Sequence, residues 1–152
     1  MKKIIPELLF GGLALFGLSL IYRDIPGGAE IVTLVMVLLS TFYFPFGFIY
    51  LNEIPLGQIF LRNTYREISW PRRIGVPLSG MIFWSLTFGT LFKIRMLPGA
   101  GELLSVGIVF GSIILLVLIQ RVIKSSNKSF YRRMLIRVSI FLLIGISAYF
   151  SN

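Results

Sequence analysis

The chain has 152 residues, of which 56% are hydrophobic and 14% charged; its mean hydropathy is +0.87 and its net charge is +9. Soluble domains carry about 25% charged residues, so this composition excludes an ordinary water-soluble globule. The chain has no Cys and no His, which excludes disulfides, thiol chemistry and metal or haem sites built on those ligands. Since only six residues are acidic, we expect no carboxylate-rich metal site and no cofactor.

The basic residues lie mainly at the ends of apolar runs. A high positive charge can indicate a nucleic-acid partner. Charge placed at the ends of apolar segments is instead typical of membrane proteins, whose cytoplasmic loops are rich in Lys and Arg. We therefore predict a lipid bilayer as the surroundings and no nucleic acid as a partner.

Five apolar runs approach the length of about 20 residues that a membrane-spanning helix needs. They cover residues 4–22, 29–51, 76–94, 103–122 and 135–150. The Met-Lys-Lys start leads directly into the first run, which offers only weak small-residue cleavage sites, so we expect a mature helix there rather than a signal peptide. The fifth run is the shortest, and Arg137 near its start can reach the interface by snorkelling.

Two stretches of the chain repeat each other. Residues 16–34 (FGLSLIYRDIPGGAEIVTL) and 88–106 (FGTLFKIRMLPGAGELLSV) align without a gap at an offset of 72 residues. The identical pairs are Phe16/Phe88, Gly17/Gly89, Arg23/Arg95, Pro26/Pro98, Gly27/Gly99 and Glu30/Glu102. We predict an all-α integral membrane protein of one domain. In it, two hairpins (about residues 4–51 and 76–123) have the same orientation, as in parallel repeats, and a C-terminal helix (about 134–150) follows.

Each repeat carries the same turn chemistry. Pro98 lacks an N–H and ends the preceding helix, Gly99 can adopt positive φ, and Glu102 falls in the first turn of the next helix, where it complements the helix dipole. Arg95 precedes the turn. We predict a hairpin cap with a local ion pair in each copy, and a binding role for the polar group is the alternative. That group comprises Arg23, Glu30, Lys93, Arg95 and Glu102.

Lys and Arg are divided unevenly between the two ends of the predicted spans. The N-terminus, residues 62–73 and residues 121–137 hold most of them, whereas the repeat turns hold Arg23, Lys93 and Arg95. The positive-inside rule therefore predicts a cytoplasmic N-terminus and a C-terminus on the opposite, outer side. Both repeat turns then lie on the outer face.

Residues 52–75 connect the two hairpins. The apolar residues fall roughly on one helical face, which favours a short basic amphipathic helix in the interface, ended by Pro71, over an extended connection. Its arginines are candidate contacts for anionic lipid head groups, although the positive-inside rule explains them without a site. These arginines are Arg62, Arg66, Arg72 and Arg73.

Small residues mark candidate helix-packing positions in the spans. Gly107 and Gly111 form a GxxxG pair, and Ser85 and Gly89 form a second pair with the same spacing. Such pairs let helix backbones approach closely, either within the chain or against a partner. Pro45 is expected to kink the second span.

One stretch resembles a known family. Gly89-Thr90-Leu91-Phe92-Lys93, followed by Leu97-Pro98-Gly99-Ala100 and Leu103-Leu104-Ser105-Val106-Gly107, looks like the membrane hairpin of the GldL-type stator subunit of the gliding-motility and type IX secretion motor of Bacteroidota. The resemblance covers about 25 residues and, more weakly, residues 16–40. It implies a Bacteroidota inner-membrane protein and agrees with the orientation given above, with a periplasmic C-terminus, and it matches the family's hairpin lysine to Lys93. The family's second-helix glutamate is replaced by Gly111 (Leu39 in the first copy), and its long cytoplasmic tail is missing, so the motor chemistry is not implied.

Three functions fit these observations. We favour a non-enzymatic structural or accessory subunit of a larger membrane complex, whose partners are other membrane subunits or further copies of itself. The second is a small oligomeric transporter or channel for a neutral or lipid-like solute, since no acidic residue lies at mid-span to carry a proton or cation. The third is a lipid-active membrane enzyme, which would depend on interfacial groups such as Glu53, Glu67 and Tyr65; we expect no catalytic residues.

Overall fold

Each long apolar run of the sequence forms a helix in the computed structural model, which describes residues 5–52, 54–66, 68–125 and 128–151. No strand occurs within those ranges. The helices are α1 (Ile5–Tyr22), α2 (Gly28–Leu51), a 3-10 turn (Leu56–Gln58), α3 (Arg62–Arg66), α4 (Trp70–Ile94), α5 (Ala100–Lys124) and α6 (Lys128–Phe150). The predicted all-α class is confirmed.

Within the described residues, three helices are long and apolar enough to cross a membrane: α4, α5 and α6. Shorter apolar helical stretches cover Leu9–Tyr22 in α1 and Gly28–Phe44 in α2. Large aliphatic side chains on α5 and α6 point outward, with Leu116 63% and Leu143 66% exposed. An outer surface of this kind suits lipid, because a soluble protein rarely exposes so extended an apolar patch.

The helices pack in an order that places α4 at the centre. α1 packs on α2, and α4 packs on α5. α2 also contacts α4, and α6 packs against both α5 and α4. α4 is consequently the most buried of the three long apolar helices, so it is the element against which α2, α5 and α6 are all positioned.

The core contains a cluster of three aromatic rings from three helices. Tyr43 of α2 and Phe83 of α4 are fully buried, and their ring centroids are 5.0 Å apart. The ring of Phe141 in α6 lies 5.6 Å from Tyr43 and 4.6 Å from Phe83. The absence of a side chain at Gly80 permits this approach, because a Cβ there would lie 3.0 Å from the Tyr43 carbonyl oxygen.

The connection between α2 and α4 differs from the predicted interfacial helix. Between α2 and α4, the described residues form only the 3-10 turn and the five-residue α3. The last part of the range 52–75 already belongs to α4, which begins at Trp70. Pro71 was expected to end a helix, but it lies in the first turn of α4. Proline is favoured there because its missing N–H would have no helical partner.

The other helices extend beyond their predicted apolar spans at several ends. α6 begins at Lys128, and its first turns therefore include Arg132 and Arg133. A helix can continue past its apolar segment because its backbone hydrogen bonds do not depend on apolar side chains. α2 is helical through Pro45, and the kink expected there stays a prediction.

Candidate functional site

The two hairpin turns have the same backbone conformation. Asp24 and Met96 both have φ of 53°, and Gly27 and Gly99 have φ of 93° and 86°. Within each turn a backbone N–H donates to a helix carbonyl: Ile25 to Leu20 at 3.0 Å, and Leu97 to Phe92 at 2.8 Å. Each residue is 72 positions from its counterpart. Left-handed conformation at a non-glycine residue is uncommon, so its occurrence at both Asp24 and Met96 reflects a shared turn geometry.

The side-chain packing next to the turns is also shared. A Cβ at Gly17 would lie 2.7 Å from Val32 Cγ2, and one at Gly89 would lie 2.8 Å from Leu104 Cγ. Val32 and Leu104 are both fully buried. In each hairpin, therefore, an aliphatic side chain of the second helix fills the space that a glycine leaves on the first.

The charged residues of the turns do not form the local ion pairs predicted for them. Arg23, Glu30, Arg95 and Glu102 are exposed, and no salt bridge joins them within the part of the chain that the structure describes. Exposed pairs gain little energy because water and salt screen the charges. Lys93 is half-buried near the end of α4. The backbone and the glycines, rather than ion pairs, hold the turns.

All four predicted helix-packing positions face other helices of this chain. Ser85 Oγ donates to the Leu103 carbonyl at 2.8 Å, and Gly89 faces Leu104 as described above. A Cβ at Gly107 would lie 2.7 Å from Leu86 Cδ2, and one at Gly111 would lie 2.7 Å from Leu142 Cδ2. These positions therefore assemble α4, α5 and α6 of one molecule.

Gly80 and Gly145 are among the packing glycines that the sequence analysis missed. Gly80 contacts α2, and a Cβ at Gly145 of α6 would lie 2.6 Å from Leu86 Cδ2. Leu86 thus lies between Gly107 and Gly145. A glycine in an apolar helix is itself a signal of close helix contact, but the partner helix cannot be read from spacing.

The candidate lipid-binding arginines have different surroundings. Arg73 donates to the carbonyls of Ile68 (2.9 Å), Tyr65 (2.7 Å) and Arg66 (3.2 Å) at the carboxyl end of α3. Arg72 lies with its guanidinium 3.8 Å above the Phe130 ring, and Arg66 is exposed. The side chain of Arg62, together with Glu53 and Glu67, lies outside the described part of the chain. Tyr65 donates its hydroxyl to the Ile59 carbonyl, so it is engaged in the connection.

Replacing Arg73 with Gln is expected to loosen α3 while leaving the helix bundle folded. The guanidinium caps carbonyls that otherwise lack partners at a helix end, and its exposure limits the loss to about 1 kcal/mol. Hydrogen exchange by mass spectrometry should show faster exchange in residues 56–68 and unchanged exchange in α4 and α5. Arg66→Gln is the matched control, and equal exchange in the two variants would contradict the capping role.

A groove follows the contact between α4 and α5. Its part nearer the turn has a volume of about 470 Å³ and is lined mainly by apolar residues, with Ser85 and Glu102 among them. We call this part the turn-side groove. A second part, of about 390 Å³, is lined by α4, α5 and α6 and includes Arg72 and Arg121; we call it the basic-end groove. Leu78 and Ile114 line both parts, so the two parts are adjacent.

Among the described residues, Ser85 and Glu102 are the polar side chains that line the turn-side groove. Within the described residues, no three His, Cys, Asp or Glu side chains come together as they would around a metal ion. Glu102 is exposed at the turn and Ser85 donates its hydroxyl to a helix carbonyl. Since the other described residues that line the turn-side groove are apolar, this groove is suited to binding apolar groups. No protein-family model, curated protein or solved structure matches this chain.

Proposed function

We propose that this protein is a non-enzymatic subunit of a larger complex in a bacterial inner membrane. The observation that carries the proposal is the face of α1 that is turned away from α2. This helix packs chiefly on α2, and a Cβ at Gly11 or Gly12 would meet nothing within 4 Å. The helix-packing glycines described above have neighbours at contact distance, whereas the adjacent pair Gly11 and Gly12 leaves room for a helix from outside the chain.

The proposed arrangement has five membrane-spanning helices built on two parallel hairpins, with the N-terminus cytoplasmic and the C-terminus periplasmic. The common turn conformation and the matching Gly17–Val32 and Gly89–Leu104 contacts support a unit used twice. The basic residues at the N-terminal ends of α4 and α6 and at the C-terminal end of α5 support the orientation through the positive-inside rule.

We propose that the resemblance to the motor stator hairpin reflects a similar helical scaffold and does not extend to the motor chemistry. At the position of the family's glutamate, Gly111 packs against Leu142 and Ile82. A carboxylate there would replace a tight apolar contact, and an ionisable group placed between helices is costly. The proposed role is therefore to pack and position other subunits.

A tagged purification from native membranes in mild detergent tests the proposal. The unmodified protein is expected to bring down a partner in constant stoichiometry, and Gly12→Leu is expected to lose that partner because the added side chain covers the small face. Gly101→Leu is the control, since Gly101 is also a helical glycine with open space around it. A lone monomer or homo-oligomer in the unmodified sample would overturn the proposal.

The apolar groove favours one second candidate, a small oligomeric transporter of a lipid-like solute. Parallel repeats occur in transporters, and the turn-side groove has an almost wholly apolar lining. Reconstituted vesicles carrying a fluorescent lipid distinguish this candidate, because a transporter moves the lipid between leaflets and an accessory subunit does not.

A further inference from the structure

We propose that the groove along α4 and α5 binds one anionic phospholipid, with the phosphate at Arg121 and Arg72 and an acyl chain along the helix contact. This site goes beyond the subunit role and does not depend on the partner complex. Because Leu78 and Ile114 line both the basic-end and the turn-side grooves, the two grooves lie next to each other along α4 and α5, and we call them together the seam groove.

The seam groove is about as long as the hydrocarbon core of a bilayer is thick. Glu102 lines one end and Arg121 lines the other. At about 1.5 Å per residue these positions are about 28 Å apart along α5, close to the hydrocarbon thickness of about 30 Å. An acyl chain lying in the groove thus stays at hydrocarbon depth, while its head group reaches the end of the helices.

Charge determines which end holds the head group. Arg72 and Arg121 line the basic-end groove, and no acidic residue stands among the described residues that line it. The turn-side end carries Glu102 instead, which repels a phosphate. The Arg72 guanidinium is held over the Phe130 ring at 3.8 Å, so its position is set before a ligand arrives. Arginine is well suited to phosphate because its planar fork makes paired hydrogen bonds.

A glycine keeps the basic-end groove open. Gly75 lines it, and a Cβ added there would meet nothing within 4 Å. Gly75 therefore does not serve close packing of this chain, unlike Gly80 five residues later. Trp70 lies at the same end and is 70% exposed, where an indole is favoured at head-group depth. Together with Arg72 and Arg121, these residues form a basic and aromatic entrance to the apolar part of the seam groove.

Both tryptophans of the chain line the seam groove, so intrinsic fluorescence reports on its occupant. Trp70 lines the basic-end part and Trp84 the turn-side part, and the sequence has two Trp in all. The full chain is reconstituted in phosphatidylcholine vesicles that contain a few per cent of phosphatidylglycerol with brominated acyl chains. Bromine quenches indole only at close range, and brominated phosphatidylcholine at the same level measures non-specific lipid contact.

The expected result is quenching by brominated phosphatidylglycerol at about tenfold lower mole fraction than by brominated phosphatidylcholine. Arg121→Gln should remove most of that preference, and unlabelled phosphatidylglycerol, but not inorganic phosphate, should compete. Gly75→Leu should reduce quenching by both lipids because it fills the groove. Gly12→Leu, on the outer face of α1, should leave quenching unchanged, so loss of a partner complex and loss of lipid binding are separable.

Equal quenching by the two lipids, unaffected by Arg121→Gln, would overturn the proposal and show ordinary bilayer contact. Displacement by inorganic phosphate would overturn it in favour of a free-anion site. Since a Cβ at Gly75 would meet nothing within 4 Å, a normal thermal unfolding temperature is expected for Gly75→Leu, and the fluorescence comparison then concerns a folded protein.

Discussion

Replacing Gly89 with Leu is expected to destabilise the protein by about 2–3 kcal/mol, near the upper end of the usual cost of overpacking. A Cβ at Gly89 would lie 2.8 Å from Leu104 Cγ and 3.0 Å from the Leu104 backbone N. A side-chain clash alone can be relieved by a rotamer change. The backbone contact cannot, so α5 has to move away from α4. This outweighs the gain of up to about 1 kcal/mol from replacing a helical glycine.

Thermal unfolding of the purified protein in detergent, followed by tryptophan fluorescence, measures this effect. Gly101→Leu is the matched control because Gly101 is a helical glycine of α5 with nothing within 4 Å of its Cβ position. That variant should unfold at or slightly above the temperature of the unmodified protein. If the Gly89 and Gly101 variants unfold at the same temperature, the close approach of α4 and α5 at Gly89 is refuted.

The same substitution in the first hairpin should have a smaller global effect. Gly17 contacts Val32 as Gly89 contacts Leu104, but α1 packs chiefly on α2 whereas α4 is the central helix. Gly17→Leu therefore loosens a peripheral helix, and Gly89→Leu disturbs the helix on which three others pack. The difference follows from position in the bundle rather than from the local contact.

Local features of the fold could be predicted from the sequence, because their determinants lie close together in the chain. The Pro-Gly turns, the helices on either side of them and the small residues at Gly89 and Gly107 all follow from spacing within one hairpin. Pro71 was misinterpreted for a related reason: proline both ends helices and begins them, and only the helical continuation after it distinguishes the two cases.

Features that join distant segments could not be predicted. Arg73 was a candidate lipid contact, but it caps α3 because the chain folds back between α3 and α4. The contact of Gly80 with Tyr43 joins the two hairpins, and the seam groove needs α6 to complete its basic end. Arg121 was placed only in the basic stretch of residues 121–137, since nothing in the sequence shows that it lines the same groove as Arg72.

The largest loss of stability is expected from Phe83→Ala, at about 3–5 kcal/mol. Phe83 is fully buried, and its ring contacts those of Tyr43 and Phe141 from two other helices. Between helices in a bilayer the lipid tails are as apolar as the side chain, so association depends on packing rather than on exclusion from water. Truncation leaves a cavity where α2, α4 and α6 meet, and the dispersion contacts around it are lost together.

Phe46→Ala provides the matched control, since it removes the same side chain from α2 at a position that is 53% exposed. Its expected cost is within about 0.5 kcal/mol, and Phe83→Leu should fall between the two because it keeps part of the volume. Unfolding temperatures of the three variants in one detergent give the comparison. If Phe83→Ala and Phe46→Ala cost the same, the aromatic cluster does not hold the hairpins together. The two hairpins would then depend on the connection through α3 and on a partner in the membrane.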